Sequence, residues 1–438
     1  MAPPLGLLHI ARVLEDEGDV VTVLDFSAET FDDKKILNAL ESVDVVGITI
    51  LTVSLSNAIE MISLIKEAKP DIPVIVGGPH CTLFPKKVLE ESQADICVQG
   101  DGEKAVKDIK KALKGELNYS EISGIFYREN QEVKPGQPVQ LLADLNAVSF
   151  PARHLVKKYE YGRGINPHIK KGEFTSIVTS RGCPFACRFC SRNSISMKKY
   201  RMRSTENIIE ELKEIYKIGY RYVAFNDDCF LSSKKQAYDL FDAIIKENFD
   251  MKFYVTAARV DSADEDLYMK MKTAGVCLLQ FGLESGNQDV LEFYNKNITI
   301  EQSRYAVNLS HKMGFFTVGS FILGAPFETK EHFENTLSFA KSLPLNSVSF
   351  LPLMYMAGSE LWSDAVKEEK IDSDEYLLQA DSQLKLGLFT KHQLQSYCYS
   401  AQQSFYFRPR FVFDLFKTCV RQHDVSFLQA YLSFIFSK

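Results

Sequence analysis

Three of the nine cysteines in this 438-residue chain stand close together, namely Cys183, Cys187 and Cys190, with the spacing C-x3-C-x2-C. Three thiolates on one loop can hold three irons of a [4Fe–4S] cluster and leave the fourth iron without a protein ligand. An open iron is what coordination of a substrate or cofactor requires. A zinc site would need a fourth cysteine or histidine nearby, and none falls within the usual spacing. Buried structural thiols are the remaining alternative, so the spacing favours an iron–sulfur cluster.

The cysteine loop follows the first of six strand-like runs that alternate with helix-like runs. These runs are Thr175 to Thr179, Tyr222 to Asn226, Phe253 to Ala257, Cys277 to Leu283, Phe316 to Leu323 and Val348 to Leu353. Strands that alternate with helices form parallel sheets, and six such units predict a partial (β/α)6 barrel over residues 171–358. Side chains at the carboxyl ends of its strands then share the catalytic face.

Phe189 gives the loop the form C-x3-C-x-aromatic-C, which resembles the signature of the radical S-adenosylmethionine superfamily. The resemblance implies that the methionyl amine and carboxylate of S-adenosylmethionine chelate the open iron. It also implies that an electron from the cluster cleaves the sulfonium and yields a 5′-deoxyadenosyl radical, which abstracts hydrogen. A small-molecule substrate and an external reductant such as flavodoxin or ferredoxin are further implications, as is a full or partial (β/α) barrel.

Two segments at the ends of barrel strands also bear on the cofactor. The segment 282–286 (Gly-Leu-Glu-Ser-Gly) resembles the family's G-x-E-S-G, which implies that Glu284 and Ser285 lie near the bound S-adenosylmethionine. A carboxylate there can accept a bond from the cofactor's amine, but a structural cap or ion pair is the alternative for Glu284. Arg259 can face the cofactor's carboxylate, and a salt bridge on the barrel rim explains it almost as well.

Three other segments have less specific roles. The segment 226–228 (Asn-Asp-Asp) resembles a family D-D segment, whose acids either order the cluster loop or meet the substrate. The segment 324–329 resembles G-x-P-x-E-T, in which the glycine allows close backbone approach and the Glu-Thr pair starts a helix. For Arg201 and Arg203, which precede the expected helix cap Ser204, structural roles are favoured.

The first 130 residues show the βαβα alternation of a doubly wound, Rossmann-like sheet. The predicted strands are Val20 to Leu24, Val45 to Ile50, Pro73 to Gly78 and Ile96 to Gly100. The opening Pro-Pro-Leu-Gly-Leu-Leu at 3–8, the Gly-Gly-Pro-His at 77–80 and the Gly-Asp-Gly-Glu at 100–103 resemble the cobalamin-binding domain that precedes many radical S-adenosylmethionine enzymes. The resemblance implies that a cobalamin binds here.

Doubly wound sheets bind large cofactors at the carboxyl ends of their strands, where three loops of this domain lie. Glycines there let the backbone approach a corrin ring or its nucleotide tail. Hydroxyls there can bond the tail oxygens. The candidate glycines and hydroxyl residues are Gly77, Gly78, Gly100, Thr52, Ser54 and Thr82. Ordinary βα turns are the alternative explanation for all of them.

Two departures from the cobalamin-domain pattern leave cobalamin binding a hypothesis. No D-x-H-x-x-G motif is present, because Gly78 stands two residues before His80 and Leu7 stands two residues before His9. No motif histidine would then serve as the lower axial ligand of cobalt. The expected first strand, central in a 2-1-3-4-5 sheet, would also have to precede Pro3. The sequence therefore predicts a Rossmann-like domain that lacks its first strand.

The remaining segments are a predicted surface linker, 131–170, and a helical C-terminal region, 359–438, rich in aromatic residues. This region either covers the barrel with amphipathic helices or forms a lid or membrane-surface contact for a lipid-like substrate. The net charge of −6 argues against nucleic-acid binding. No apolar stretch could span a membrane and no signal peptide is evident, so a cytoplasmic protein, with membrane association as an alternative, is expected.

Together these patterns predict a radical S-adenosylmethionine enzyme that, in keeping with the resemblance, methylates an unactivated carbon with the help of cobalamin. One alternative is a cobalamin-independent enzyme that forms bonds or closes rings and keeps a vestigial N-terminal domain. The other is a non-catalytic iron–sulfur protein for electron transfer or sensing. The run of barrel motifs after the cysteine loop argues against this last alternative.

Overall fold

The structure, a computed structural model, describes residues 2–164, 169–230, 232–408 and 411. It divides into two compact units. The first unit comprises residues 3–160 together with 194–203, and the second comprises 161–193 and the chain from residue 204 onward. Of the predicted C-terminal region 359–438, residues 409–410 and 412–438 lie outside the described residues.

The first unit contains a mixed sheet of five strands. The strands are β1 (Val46–Thr49), β2 (Val74–Gly77), β3 (Ile96–Val98), β4 (Ile125–Glu129) and β5 (Glu132–Pro135). They neighbour one another in that order, with β1 to β3 parallel and β4 and β5 antiparallel. The helices around them are α1 (Leu5–Asp16), α2 (Asp33–Leu40), α3 (Leu55–Ala68), α4 (Pro79–Leu83), α5 (Pro85–Glu91) and α6 (Gly102–Leu113).

The alternation of side chains along β2 builds two cores, one on each face of this sheet. Val74 and Val76 are fully buried in the core that contains Ile62 of α3. Ile75 points the other way and packs on the core that contains Ile109 of α6. Helices on both faces confirm the predicted doubly wound character, although the antiparallel β4 and β5 make the sheet mixed rather than parallel.

The predicted strand from Val20 to Leu24 is wrong. This segment is extended but joins no sheet, and Val20 is 99% exposed. A run of β-branched residues becomes a strand only where a neighbouring strand supplies hydrogen bonds. In the described sheet β1 is the edge strand, so the segment from Val20 to Leu24 does not pair with it. The predicted linker 131–170 starts inside the sheet, since β5 falls within it.

The second unit is built on six parallel strands in the order β13-β12-β11-β10-β9-β6. Its strands, with the short ones that accompany them, are β6 (Phe174–Ile177), β7 (Ser180–Arg181), β8 (Arg201–Met202), β9 (Tyr222–Phe225), β10 (Lys252–Ala258), β11 (Val276–Glu284), β12 (Phe316–Leu323), β13 (Ser347–Pro352), β14 (Met354–Met356) and β15 (Leu377–Gln379). All six predicted barrel strands are present, which confirms the partial barrel.

Helices follow the barrel strands in turn. They are α7 (Arg192–Ile195), α8 (Thr205–Ile218), α9 (Lys234–Glu247), α10 (Glu265–Thr273), α11 (Gln288–Phe293), α12 (Ile300–Lys312), α13 (Lys330–Ser342), α14 (Glu360–Lys367) and α15 (Lys391–Tyr406). Ser204 caps α8 as expected, since its side chain accepts a hydrogen bond from the Asn207 N–H.

The last described helix, α15, covers the outer edge of β13. The Val348 N–H donates to the Tyr406 hydroxyl at 2.9 Å, and the Phe350 N–H donates to the Gln402 side-chain oxygen at 3.1 Å. Side chains thus satisfy backbone groups that an edge strand would otherwise leave open. Among the residues that the structure describes, none of the helices has the length and apolar character needed to cross a membrane.

Candidate active site

The cysteine loop begins just after β6, at the carboxyl end of the first barrel strand. The chain turns at Gly182, whose φ is +89°, and then presents Cys183, Cys187 and Cys190 as partly buried free thiols. The Cys190 N–H donates to the Cys187 carbonyl at 3.0 Å, which makes the second half of the loop a tight turn. The loop therefore offers three thiols, the donor set of an iron–sulfur cluster with one open iron.

A fourth cysteine, Cys229, lies beside the loop. The hydrogen bond between the Cys229 and Cys183 thiols is the main reason why the pKa of Cys183 falls to about 6. Burial raises the pKa of Cys187 and of Cys190. A lowered pKa favours the thiolate, the form that binds metal. The position of Cys229 was not predicted, because its neighbours in sequence carry no cysteine spacing.

Two acids anchor the start of the loop. The buried Asp227 carboxylate accepts hydrogen bonds from the Thr179 N–H (3.0 Å), the Thr179 hydroxyl (2.8 Å) and the Ser180 hydroxyl (2.6 Å). Asp228 accepts from the Gly182 N–H at 3.2 Å. Burial raises the pKa of Asp227 to about 6, although these hydrogen bonds oppose the rise. Of the two roles left open by the sequence, these contacts support ordering of the cluster loop.

Residues just after α11 hold the middle of the loop. The Arg188 N–H donates to the Tyr294 carbonyl at 3.0 Å, and the Asn295 side-chain amide donates to the Ala186 carbonyl at 2.8 Å. The Phe189 ring meets the Tyr294 ring edge-on, with centroids 5.2 Å apart. These partners were not predicted, because roughly a hundred residues of sequence separate them from the loop and they belong to no motif.

The Arg188 side chain ties the loop to α14. Its guanidinium donates to Glu360 at 2.7 Å and to Asp364 at 2.9 Å, and it stacks over the Phe293 ring at 4.7 Å. The Leu361 N–H donates to the Arg188 carbonyl at 3.0 Å. Arg188 therefore holds the loop against α14 through both its backbone carbonyl and its side chain.

Glu284 ends β11 with a φ of +60°, a region that residues with side chains seldom occupy. Its carboxylate folds back over Gly282, where an added Cβ would lie 2.4 Å from Glu284 Oε1 and 3.0 Å from Lys296 Nζ. The Lys296 ammonium donates to Glu284 Oε1 at 2.6 Å, and the two side chains are only 12% and 7% exposed. The first glycine of G-x-E-S-G thus makes room for a buried ion pair.

Ser285 and Gly286 face α13 instead. The Ser285 hydroxyl lies 3.2 Å from the Thr336 hydroxyl and accepts from the Asn287 N–H at 3.1 Å. A Cβ on Gly286 would meet Thr336 Cα at 2.8 Å, so the glycine allows close packing of the helix. The approach of Ser285 to S-adenosylmethionine stays a prediction, since these contacts already engage its hydroxyl.

Arg259 forms the rim salt bridge that was one of its two predicted roles, and its pairing with a cofactor carboxylate stays a prediction. Its guanidinium pairs with Asp261 at 2.9 Å, as a rim salt bridge would, and donates to the Lys296 carbonyl at 3.0 Å. It also stacks over the Phe185 ring of the cysteine loop at 3.5 Å. Arg259 therefore lies against the cluster loop at the carboxyl end of β10, where a cofactor carboxylate could reach it.

The loop 324–329 closes around a buried carboxylate. Glu328 Oε2 accepts from the Gly324 and Ala325 N–H groups, each at 2.7 Å, while Oε1 has no hydrogen-bond partner in the described part of the chain. Burial raises the pKa of Glu328 to about 7. Thr329 is the N-cap of α13, which confirms that the Glu-Thr pair starts a helix.

In the first unit, the loop after β1 carries two of the three hydroxyl candidates, Thr52 and Ser54. Thr52 Oγ1 lies 3.2 Å from His80 Nδ1, and burial lowers the pKa of His80 to about 4, so this histidine is neutral at pH 7. The Ser54 hydroxyl accepts from the Leu51 N–H and donates to the Leu51 carbonyl. Leu51 and Val53 are 48% and 70% exposed, so this loop presents apolar side chains to its surroundings.

Thr82 joins the loops after β2 and β3. Its hydroxyl donates to the Gly78 carbonyl and accepts from the Gly100 N–H, each at 3.0 Å. Gly78 has a φ of +102°, and a Cβ there would lie 2.7 Å from Thr49 Oγ1, whereas the nearest atom to a Cβ on Gly77 is 3.8 Å away. The predicted bond from Thr82 to a cofactor stays a prediction, because the fold itself uses this hydroxyl.

The segment 194–203 of the same unit covers Gly100. Arg201 forms a buried ion pair with Asp101, and both groups bond Leu142. A Cβ on Gly100 would lie 2.8 Å from a Leu141 methyl group. These contacts support the structural role expected of Arg201, and they place Gly100 under the chain's own side chains.

The residues present fit three groups. The thiols of the cysteine loop fit a [4Fe–4S] cluster. A carboxylate and a guanidinium at the ends of β11 and β10 fit the amine and carboxylate of S-adenosylmethionine. Exposed Leu51 and Val53, at the carboxyl end of a parallel strand, can pack against the face of a corrin ring.

Comparison with known proteins decides the family. The model of the radical SAM superfamily matches residues 177–340, and that of the B12 binding domain matches residues 1–110. A Pyrococcus horikoshii protein, described as uncharacterized methyltransferase PH0819, is 34% identical over 423 residues, which cover 95% of this chain and 90% of that protein. The chain belongs to the radical S-adenosylmethionine enzymes with a B12-binding domain. It is a cobalamin-dependent enzyme that uses a [4Fe–4S] cluster and S-adenosylmethionine.

Two further comparisons agree with this family. The cytidylyl-2-hydroxyethylphosphonate methyltransferase of Streptomyces wedmorensis is 26% identical over 428 residues, with 85% of this chain and 80% of that protein covered. The structure of OxsB, a cobalamin-dependent S-adenosylmethionine radical enzyme with aqua-cobalamin and S-adenosylmethionine bound, has the same fold. Its TM-score is 0.74 at 18% identity, with 99% of this chain and 70% of that chain covered. A vestigial first module and a non-catalytic iron–sulfur protein are thereby set aside.

Proposed function

We propose that this radical S-adenosylmethionine enzyme methylates an unactivated carbon of a small organic molecule. The observation that carries the proposal is the match to a relative named a methyltransferase over 95% of this chain. That match spans both the B12-binding domain and the radical barrel. A second relative, aligned over 85% of this chain, is also named a methyltransferase. When bound, the cluster and S-adenosylmethionine would supply the radical that removes a hydrogen atom from the carbon, and cobalamin would supply the methyl group.

The residues that would hold the cluster lie in the cysteine loop. We assign Cys183, Cys187 and Cys190 as the iron ligands, with Phe189 beside them. The hydrogen bonds of Asp227 and of Arg188 fix the start and the middle of this loop, so we expect the thiols to be held in place before the cluster binds. Outer hydrogen bonds of this kind orient the ligands of a metal site.

Glu284 and Arg259 are the proposed partners of the amino-acid part of S-adenosylmethionine. Glu284 can accept bonds from its amine, and Arg259 can pair with its carboxylate. Both groups are already paired, with Lys296 and Asp261, so binding exchanges existing charge contacts rather than desolvating lone charges. In the first unit, the loops bearing Thr52, Ser54, Gly77, Gly78, Thr82 and Gly100 are the proposed cobalamin site.

The partners follow from the same proposal. We expect a small-molecule substrate, including a lipid-like one, and a low-potential reductant such as flavodoxin or ferredoxin. The acidic balance of the chain gives no support to a nucleic-acid partner. The membrane-surface contact considered for the C-terminal region 359–438 falls partly on residues outside the described ranges.

The test uses full-length protein reconstituted anaerobically with iron, sulfide and hydroxocobalamin, and then supplied with reductant, deuteromethyl S-adenosylmethionine and a metabolite extract. We expect the protein to form both S-adenosylhomocysteine and 5′-deoxyadenosine. One compound of the extract should carry the deuterated methyl group on a carbon that had no such substituent before. Cys187→Ala is the matched control and should form no 5′-deoxyadenosine. Formation of 5′-deoxyadenosine without S-adenosylhomocysteine would contradict methyl transfer and favour a cyclising or other bond-forming reaction.

A further inference from the structure

The beginning of α14 and one residue of the cysteine loop bond each other in both directions. The Arg188 guanidinium donates to Glu360 Oε1 at 2.7 Å through Nε and to Asp364 Oδ2 at 2.9 Å through Nη2. In the opposite direction, the Leu361 N–H donates to the Arg188 carbonyl at 3.0 Å. Three hydrogen bonds therefore join this one residue to the N-terminal end of α14.

The sequence at the start of α14 suits this contact. Glu360 and Asp364 stand four residues apart in the helix, so their carboxylates lie on one face. The first N–H groups of a helix have no partner within it, and the loop carbonyl supplies one for Leu361. The planar fork of an arginine can bond two carboxylates at once, whereas a lysine offers a single point charge. The helix end and the arginine thus satisfy each other's polar groups.

Arg188 lies inside the turn that carries two of the proposed iron ligands. Cys187 directly precedes it, and the Cys190 N–H closes the turn by donating to the Cys187 carbonyl at 3.0 Å. On the side of α11, the Arg188 backbone N–H donates to the Tyr294 carbonyl at 3.0 Å, and the guanidinium stacks over the Phe293 ring at 4.7 Å. A restraint on this residue therefore limits the movement of the cysteines on either side of it.

We propose that Glu360 and Asp364 are positioning residues that hold the cysteine loop in its cluster-binding shape through Arg188. Thiols on a restrained loop release iron more slowly than thiols on a loop that can open. Loss of an outer hydrogen bond at a metal site typically costs about 10–100-fold in affinity. Because the two carboxylates are 55% and 47% exposed, we expect the lower end of this range. The inference rests on the proposed ligation by the three cysteines, and it does not depend on the methyl acceptor.

The test is the rate at which anaerobically reconstituted full-length protein releases iron to an excess of a ferrous chelator, without S-adenosylmethionine. The acid-pair variant, Glu360→Gln with Asp364→Asn, should release iron about tenfold faster than wild type, and so should Arg188→Gln. The variant that combines all three changes should match Arg188→Gln, because each change already breaks the same contact. Glu265→Gln, which removes an exposed carboxylate paired with Lys312, is the matched control and should match wild type.

An acid-pair variant that releases iron at the wild-type rate would overturn the proposal. Effects that multiply to about a hundredfold in the combined variant would overturn it too, because α14 would then act on the fold and not through Arg188. If the acid-pair variant retains no cluster, hydrogen exchange in cluster-free full-length protein decides. The amides of residues 187–190 should exchange faster in the variant than in wild type, and equal exchange would contradict the proposal. A wild-type protein that binds no cluster through the cysteine loop would instead show that the proposed ligation has failed.

Discussion

Gly282 is a position at which one added methyl group should disturb a buried ion pair of the active site. A Cβ there would lie 2.4 Å from Glu284 Oε1 and 3.0 Å from Lys296 Nζ. An ordinary contact of carbon with oxygen needs about 3.4 Å, so the carboxylate must retreat by about 1 Å. The ion pair at 2.6 Å would then open beyond hydrogen-bonding distance. Because both charges are buried, Gly282→Ala should destabilise the barrel by about 3 kcal/mol, the lower end for breaking a buried pair.

The single tryptophan provides the assay. Trp362 is the only tryptophan in the sequence and is 9% exposed in α14, so its fluorescence reports unfolding of the barrel unit. With a urea m value of about 3 kcal/mol/M, the expected loss lowers the urea midpoint by about 1 M. Gly387→Ala is the matched control in the same unit, since a Cβ there meets its nearest atom at an ordinary 3.6 Å.

A Gly282→Ala midpoint equal to that of Gly387→Ala would refute the reasoning. It would mean that Glu284 and Lys296 do not lie over the Gly282 Cα. A retained midpoint could not be explained by backbone relief, because Gly282 is not among the glycines with positive φ. The result would therefore bear on the ion pair itself.

Three other predictions concern the cluster, a buried acid and the first unit. Alanine at Cys183, Cys187 or Cys190 should abolish the iron–sulfur absorbance of reconstituted protein, whereas alanine at the remaining cysteines should preserve it: Cys81, Cys97, Cys229, Cys277, Cys398 and Cys419. A cluster retained in any of the first three variants would contradict the ligand assignment. Glu328 has a pKa of about 7 in the folded chain, above its ordinary 4.5, so the folded state keeps this proton longer and stability should fall by about 3 kcal/mol as pH rises from 4.5 to 7. In Glu328→Gln, the urea midpoint measured by Trp362 fluorescence should no longer fall as the pH rises from 4.5 to 7. The same fall in Glu328→Gln as in wild type would contradict the assignment of this pH dependence to Glu328. Thr82→Val leaves the half-buried Gly100 N–H without its acceptor and should destabilise the first unit by about 1 kcal/mol. Amide exchange over residues 74–100 should then be faster than in Ser54→Ala.

The barrel could be predicted from the sequence because its strands are short apolar runs that glycines and helix caps separate. The first unit was harder, since strand propensity does not reveal a partner. Val20 to Leu24 has the composition of a strand yet stays unpaired, as described above. The hairpin of β4 and β5 was missed even though Asn130 and Gln131 form its turn with positive φ values of 51° and 69°. Asparagine at such a turn is a signal that could have found it.

The active site likewise contains some residues that could be predicted from the sequence and others that could not. The cysteine loop is local in sequence, so its spacing alone pointed to an iron–sulfur cluster. Glu284 was proposed through the resemblance of 282–286 to a family segment, and Arg259 through its place at the end of a predicted strand. Lys296 and Tyr294 reach the loop only through tertiary structure, across roughly a hundred residues, and no pattern in one sequence encodes such a contact. For Gly282 and Gly100, only the structure explains why glycine stands at these positions. Side chains pack over both residues and leave little room for a Cβ.

The central claim is that the three-cysteine loop carries out reductive cleavage of S-adenosylmethionine. Its most direct test is the amount of 5′-deoxyadenosine that anaerobically reconstituted, reduced protein forms from S-adenosylmethionine. Wild type and Cys277→Ala should form it in comparable amounts, because Cys277 lies on β11 and its thiol donates to the Phe253 carbonyl at 3.3 Å rather than serving the loop. Cys187→Ala should form none above the protein-free background. Equal formation by Cys187→Ala and wild type, or none by wild type, would contradict the account.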